Sequence, residues 1–164
     1  MDVLAAHGFE YDSSIYPGLN DRYGWPRAPT NPVQHALTGL VIFPVPLLHP
    51  HIPLAFSGGA YLRILPYWLV ESGFRRQRQL AQPGMIYFHP WEISSTLTWR
   101  HEASVRANFT RHLLRWRMRP QLQRLLTAKA SLLGTMADVI KGLGNLPTWN
   151  PTNATYGSSA HVSA

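Results

Sequence analysis

The sequence predicts an α/β fold with parallel strands, on three observations. Short apolar runs alternate with stretches of helical periodicity. The runs are apolar throughout, as in strands covered on both faces. Two of them end in polar groups of chemical interest, Asp12-Ser13-Ser14 and His89-Pro90-Trp91-Glu92. Chemistry in α/β folds sits at the C-terminal ends of strands.

Asp2 to Ala6 reads as the last turn of a helix, with His7-Gly8 as its C-cap. Phe9 to Ile15 follows as a short strand, and Pro17 to Pro32 as a long loop. Leu40 to Val45 is a β-branched apolar run, read as a buried strand and stopped by Pro44 and Pro46. Pro66 suits a first helical residue. Tyr67, Val70 and Phe74 behind it form one face of a helix to about Leu80. Met85 to Phe88 is a further short strand. The chain then reads as irregular to about Arg119, where Pro120 opens a helix with a buried stripe of Leu122, Leu125, Leu126, Lys129, Leu132 and Leu133. Thr135 to Leu143 is a final short helix. Residues 145–164, rich in Pro, Asn, Ser and Gly, are expected to be a disordered tail. These strands are too few to close a barrel.

Composition removes several function classes. There is no cysteine, so disulfides, thiolate metal sites and cysteine nucleophiles are excluded. No apolar run reaches the roughly 20 residues of a membrane helix, and the N-terminus lacks the pattern of a signal peptide, which points to a cytoplasmic location. Charged residues make up only 14% of the chain, a sign of surface covered by something else. The net charge of +7 comes mostly from arginines at 75, 76 and 78 and between 100 and 124. No nucleic-acid-binding signature accompanies them, so a solvated helix face or an acidic partner surface explains them better than nucleic acid does.

His89 is the best single candidate for chemistry. It follows a strand and precedes a proline, and imidazole is the usual general acid or base near neutral pH. Trp91 could wall the site or face a sugar ring, and Glu92 could orient the histidine. On spacing alone, a capping histidine beside a packed tryptophan fits better. Asp12 could orient a catalytic group, or simply cap a turn through nearby amides. His49 and His51 share one face of an extended segment, with no third metal ligand at a useful spacing. Gly58-Gly59 reads as a close backbone approach or a sharp turn.

Several segments together resemble a known family. Gly8-Phe9-Glu10-Tyr11-Asp12-Ser13-Ser14-Ile15-Tyr16-Pro17 resembles the "GFxYDSSIxP" segment of NodB-type polysaccharide deacetylases of carbohydrate esterase family 4. Asp21-Arg22-Tyr23-Gly24 is similar to their "DRYG" loop. Gly58-Gly59-Ala60-Tyr61-Leu62-Arg63 with Leu65-Pro66-Tyr67 is similar to "GGGYFRLLPY", and Tyr87-Phe88-His89-Pro90-Trp91-Glu92 to "YxHPWE". The segments stand in the family's order over roughly residues 1 to 140. The late helix and Met136–Ile140 fit the C-terminal extension of deacetylases linked to the exosortase (PEP-CTERM) system.

The resemblance implies the C-terminal portion of an irregular (β/α) barrel over residues 1–93, a helical extension over 94–144 and the tail over 145–164. It implies metal-dependent removal of N-acetyl groups from an exopolysaccharide. In the family a zinc ion held by one Asp and two His activates water, a second Asp acts as base, and a late His protonates the departing amine. His89 matches that general acid. Asp12 matches an orienting residue. Trp91, Glu92, Tyr61 and Arg63 match substrate-binding positions. The family's metal triad, base and "YRAPS"-like arginine segment have no counterpart in this sequence. Asn20 stands where a histidine precedes "DRYG", and Ala60 replaces a third glycine. The expectation is therefore a deacetylase fragment, inactive alone and binding no metal by itself, whose partners are a polysaccharide and a missing N-terminal half. The alternative is a non-catalytic carbohydrate-binding or assembly module.

Overall fold

The computed structural model describes residues 1–19, 24–49, 52–94, 104–151 and 155–156. Asn20, Asp21-Arg22-Tyr23 and His51, singled out above, lie outside them.

Helix α1 (Asp2–Ala6) ends in a Schellman turn, as its sequence predicts. The N–H of Gly8 donates to the Ala5 carbonyl at 3.0 Å and that of Phe9 to Leu4 at 3.1 Å. The chain then enters a sheet of five short strands: β1 (Tyr11–Asp12), β2 (Val33–His35), β3 (Val41–Ile42), β6 (Thr148–Asn150) and β7 (Thr155–Tyr156). Their order is β1-β3-β2-β6-β7. A separate antiparallel pair, β4 (Leu47–His49) and β5 (Ile52–Ala55), follows β3.

The architecture is α/β, but the sheet is mixed. β1 runs parallel to β3 and β2 parallel to β6, whereas β2–β3 and β6–β7 are antiparallel. No barrel closes among the described residues. The reversal between β2 and β3 has a local cause. Gly39, at φ +72°, completes a tight turn in which its N–H donates to the His35 carbonyl at 2.9 Å. The His35 N–H then reaches the Leu40 carbonyl at 2.8 Å, and the chain folds back on itself.

The reading of residues 145–164 as a disordered tail is corrected where the sheet takes them in. Trp149 is 1% exposed and packs with Ile15, Ala28, Val33, Leu40 and Ile42. Its carbonyl accepts the Ala36 N–H at 2.9 Å, and the Trp25 ring meets its own edge-on at 5.1 Å. One large apolar side chain orders a segment whose composition is otherwise that of a loop.

The helices are α2 (Gly59–Ile64), α3 (Tyr67–Gln79), α4 (Pro90–Ile93), α5 (Val105–His112), α6 (Arg115–Lys129) and α7 (Met136–Gly142). α3 starts behind Pro66 as expected, and Thr135 caps α7 reciprocally with Asp138. The start of α6 is corrected. Leu114, in the left-handed region at φ +49°, separates α5 from α6, and Pro120 lies inside the helix rather than opening it. The buried face of α6 is Met118, Gln121, Leu122 and Leu125, while Leu126, Leu132 and Leu133 are exposed. Met118, Leu122 and Leu125 pack against Phe56, Leu62, Leu65 and Val70, so residues on both sides of position 93 share one core. Among the described residues, no helix is long and apolar enough to cross a membrane.

Candidate functional site

His89 is placed by a close passage of two backbones. The expected strand Met85–Phe88 is reduced to one parallel bridge, between Tyr87 and Gly58. The Gly59 N–H donates to the Tyr87 carbonyl at 3.1 Å. A Cβ on Gly58 would stand 2.3 Å from the Tyr87 ring and 2.5 Å from its carbonyl oxygen, so only glycine lets the chains meet here. Beyond Tyr87, His89 becomes the N-cap of α4 and Pro90 its first residue. The Glu92 carboxylate turns back, and its Oε2 accepts the His89 N–H at 2.9 Å. This is the return arm of a capping box.

The other carboxylate oxygen of Glu92 is 3.2 Å from Arg63 Nε, with both side chains almost wholly buried. Arg63 Nη1 donates to the carbonyls of Arg111 at 2.9 Å and Leu113 at 3.0 Å. These are free carbonyls at the end of α5, which need donors. One guanidinium thus ties α2, α4 and the end of α5 together. Burial lowers the Arg63 pKa. Glu92 opposes that effect and the Arg115 charge adds to it. Arg115 itself donates to the Ser94 carbonyl at the end of α4.

Trp91 stands at the centre of the group. The His89 ring stacks on it, with centroids 5.6 Å apart and planes 12° apart. The Arg63 guanidinium lies 5.4 Å from its ring centre and that of Arg111 lies 5.3 Å away. His89 is exposed and Trp91 half-buried. The site therefore presents an accessible imidazole on an aromatic support, over a buried ion pair. Arg111 was not singled out in the sequence. Its only signal there is membership of an arginine-rich stretch that reads as a solvated face.

Residues 13–141 match the family described as a domain of unknown function, DUF3473. The chain belongs to the DUF3473 family. The domain is the C-terminal extension of polysaccharide deacetylases. No curated protein and no solved structure matches the chain.

The predicted site residues divide within this DUF3473 domain. His89, Trp91, Glu92 and Arg63 form one cluster, in which Glu92 and Arg63 are the buried frame and lack the exposure to meet a ligand directly. Tyr61 lies on α2 but turns to Tyr16: the rings stack with centroids 6.3 Å apart and the hydroxyls are 3.1 Å apart. The Tyr61 hydroxyl pKa is pushed up to about 12, first by burial and then by the Tyr16 hydroxyl. Asp12 is held locally. Its Oδ1 accepts the Ser14 N–H at 3.1 Å and also the Ser14 hydroxyl. These bonds hold Asp12 at its own turn rather than against His89. His49 pairs with Ile52 across β4 and β5. Among the described residues, no three His, Asp or Glu side chains gather as a metal-holding group.

Proposed function

We propose that this domain contributes the proton-donating side of a polysaccharide N-deacetylase site, with His89 as the general acid. The observation that carries the reading is the mounting of His89. Its backbone is fixed by Glu92, its ring is supported by Trp91, and its imidazole is open to solvent. Amide hydrolysis needs such a group, because the departing nitrogen leaves as an amine only once it is protonated. A positioned imidazolium supplies that proton in the transition state, an effect worth about 10²–10⁴-fold in rate.

The resemblance to deacetylases brings with it a divalent metal. The described residues do not fit one. Asp12 is tied to Ser14, Glu92 is taken up by the His89 N–H and Arg63, and no three His, Asp or Glu side chains gather among the described residues. On this reading the metal and its ligands belong to another part of the deacetylase, and the present residues orient the substrate and move the proton.

The test joins this chain to the metal-binding half of a polysaccharide deacetylase and assays an N-acetylated oligosaccharide. His89→Ala is expected to lower kcat about 10²–10⁴-fold with little change in KM. Full turnover without the imidazole would make His89 structural. Binding without turnover in the parent fusion would favour a carbohydrate-binding module instead.

A further inference from the structure

The ends of α3 and α6 border a cavity of about 230 Å³. Its walls are apolar: Phe74 from α3, Leu125 from α6 and Ile86 from the segment that leads to His89. Leu132 and Leu133 line it as well, and because both are exposed they stand at its mouth. Two cations, Arg78 and Lys129, share the lining, and neither side chain forms an ion pair with a described residue. Each stands in the last turn of its helix, where it offsets the roughly half negative charge of the helix end. Two cations against two such ends leave about one positive charge over the cavity. No Asp or Glu among the described residues lines it.

Gln77 adds a second, independent observation. It is 5% exposed, lines the same cavity, and its side-chain amide makes no hydrogen bond with a described residue. The Ser57 hydroxyl and the Trp149 indole N–H are closed in without partners, whereas the Gln77 amide opens on the cavity. A polar group held so deep without a protein partner calls for a specific explanation. A ligand that accepts its N–H is one.

We infer that the cavity binds an amphipathic anion, an unbranched alkyl chain of about eight carbons that ends in a carboxylate or phosphate. The length follows from the volume. An apolar cavity of about 150 Å³ takes a six-carbon ring, so one of about 230 Å³ takes about eight or nine carbons. The tail packs on the five apolar side chains. The head accepts from the Gln77 amide and meets Arg78 and Lys129. A sugar is the poorer occupant, because its hydroxyls lose water against apolar walls without gaining partners. The inference is independent of the role given to His89.

The test is a calorimetric titration of the full chain with octanoate, octyl phosphate, octan-1-ol and octylammonium. The two anions are expected to bind about tenfold more tightly than the alcohol, as one hydrogen bond to a charged group supplies. Whichever anion binds the tighter names the head group. Shortening the acid should weaken binding about fourfold for each methylene removed. Arg78→Gln together with Lys129→Gln should bring octanoate down to the level of the alcohol. Arg75→Gln, at an exposed cation outside the lining, should change nothing. Gln77→Leu should weaken octanoate about fivefold or more while leaving the urea midpoint unchanged or higher, since the amide has no partner in the fold to lose. A lower midpoint with unchanged affinity would make Gln77 structural and overturn the inference. Equal binding of alcohol and anion, tighter binding of the ammonium, or binding of none of the four overturns it too. So does an anion preference that Arg75→Gln reduces as much as the double variant, because the basic surface at large would then be responsible. A dimer of the chain that Leu133→Asp dissociates would assign the cavity to a second copy, and the inference would fall.

Discussion

The sheet half and the helical half of this domain bury comparable apolar clusters, yet their polar groups reach over very different distances along the chain. Around Ile15, Val33, Ile42 and Trp149, the side-chain hydrogen bonds among the described residues are mostly local, those of Tyr16 to Pro53 and Tyr61 excepted. Asp12 holds Ser14, Gln34 holds the Gly39 carbonyl and His35 meets Thr38. Around Phe56, Leu62, Met118 and Leu125 they are remote. Arg63 reaches Arg111, Leu113 and Glu92, while Arg117 and Gln121 reach the carbonyls at the end of α2. Local bonds shape turns. Remote ones fix helices against each other, and the buried frame of the candidate site is of the remote kind, whereas the cap that holds His89 is local.

Glu92→Ala gives the largest expected effect on this comparison. It leaves the Arg63 guanidinium buried without its counter-charge, a loss of about 3–5 kcal/mol. Urea unfolding followed by circular dichroism checks it. The distinction between the halves fails if this variant is no less stable than one altered at Asp12.

A smaller effect concerns pH. Tyr61 ionises near 10.0 when unfolded, and at about 12 when folded. Below 10.0 both states hold the proton and the contribution is complete. Between 10.0 and about 12 only the folded state holds it, so stability falls as pH rises through that window. Tyr61→Phe should flatten this part of the profile. Unfolding midpoints of parent and variant at mildly and strongly alkaline pH decide the matter, and parallel profiles would contradict it.

The smallest effect is expected at Asp12. Asp12→Ala removes hydrogen bonds to Ser14 at a site open to water, at a cost of about 0.5–1.5 kcal/mol. A loss as large as that of Glu92→Ala in the same unfolding assay would show that the sheet half also depends on a remote contact of Asp12.

The same contrast explains what the sequence made legible. Punctuation by Gly and Pro located the end of α1, the start of α3 and the close approach at Gly58, because these are choices of backbone conformation made within a few residues. The reach of β6 was hidden. A lone tryptophan between polar neighbours shows no periodicity, and its burial depends on β2 and the Trp25 loop, far away in sequence. α5 and the start of α6 were hidden for a related reason, since their buried residues include Asn108 and Gln121. Burial there is set by partners rather than by hydropathy. His89, Trp91 and Glu92 could be read as a group because they are contiguous. The link from Glu92 to Arg63, and the place of Arg111, follow only from the fold.

The knot at Arg63 also limits how this domain can change over generations. A lineage that exchanges the arginine for a neutral residue strands a carboxylate in the interior, and one that exchanges the glutamate strands a cation. Each single step lowers the fitness of the fold, although a well-packed apolar pair in their place could be as stable as the pair itself. Positions 63 and 92 are therefore expected to vary together or not at all, and any relative that has lost one of them should carry a compensating change at the other.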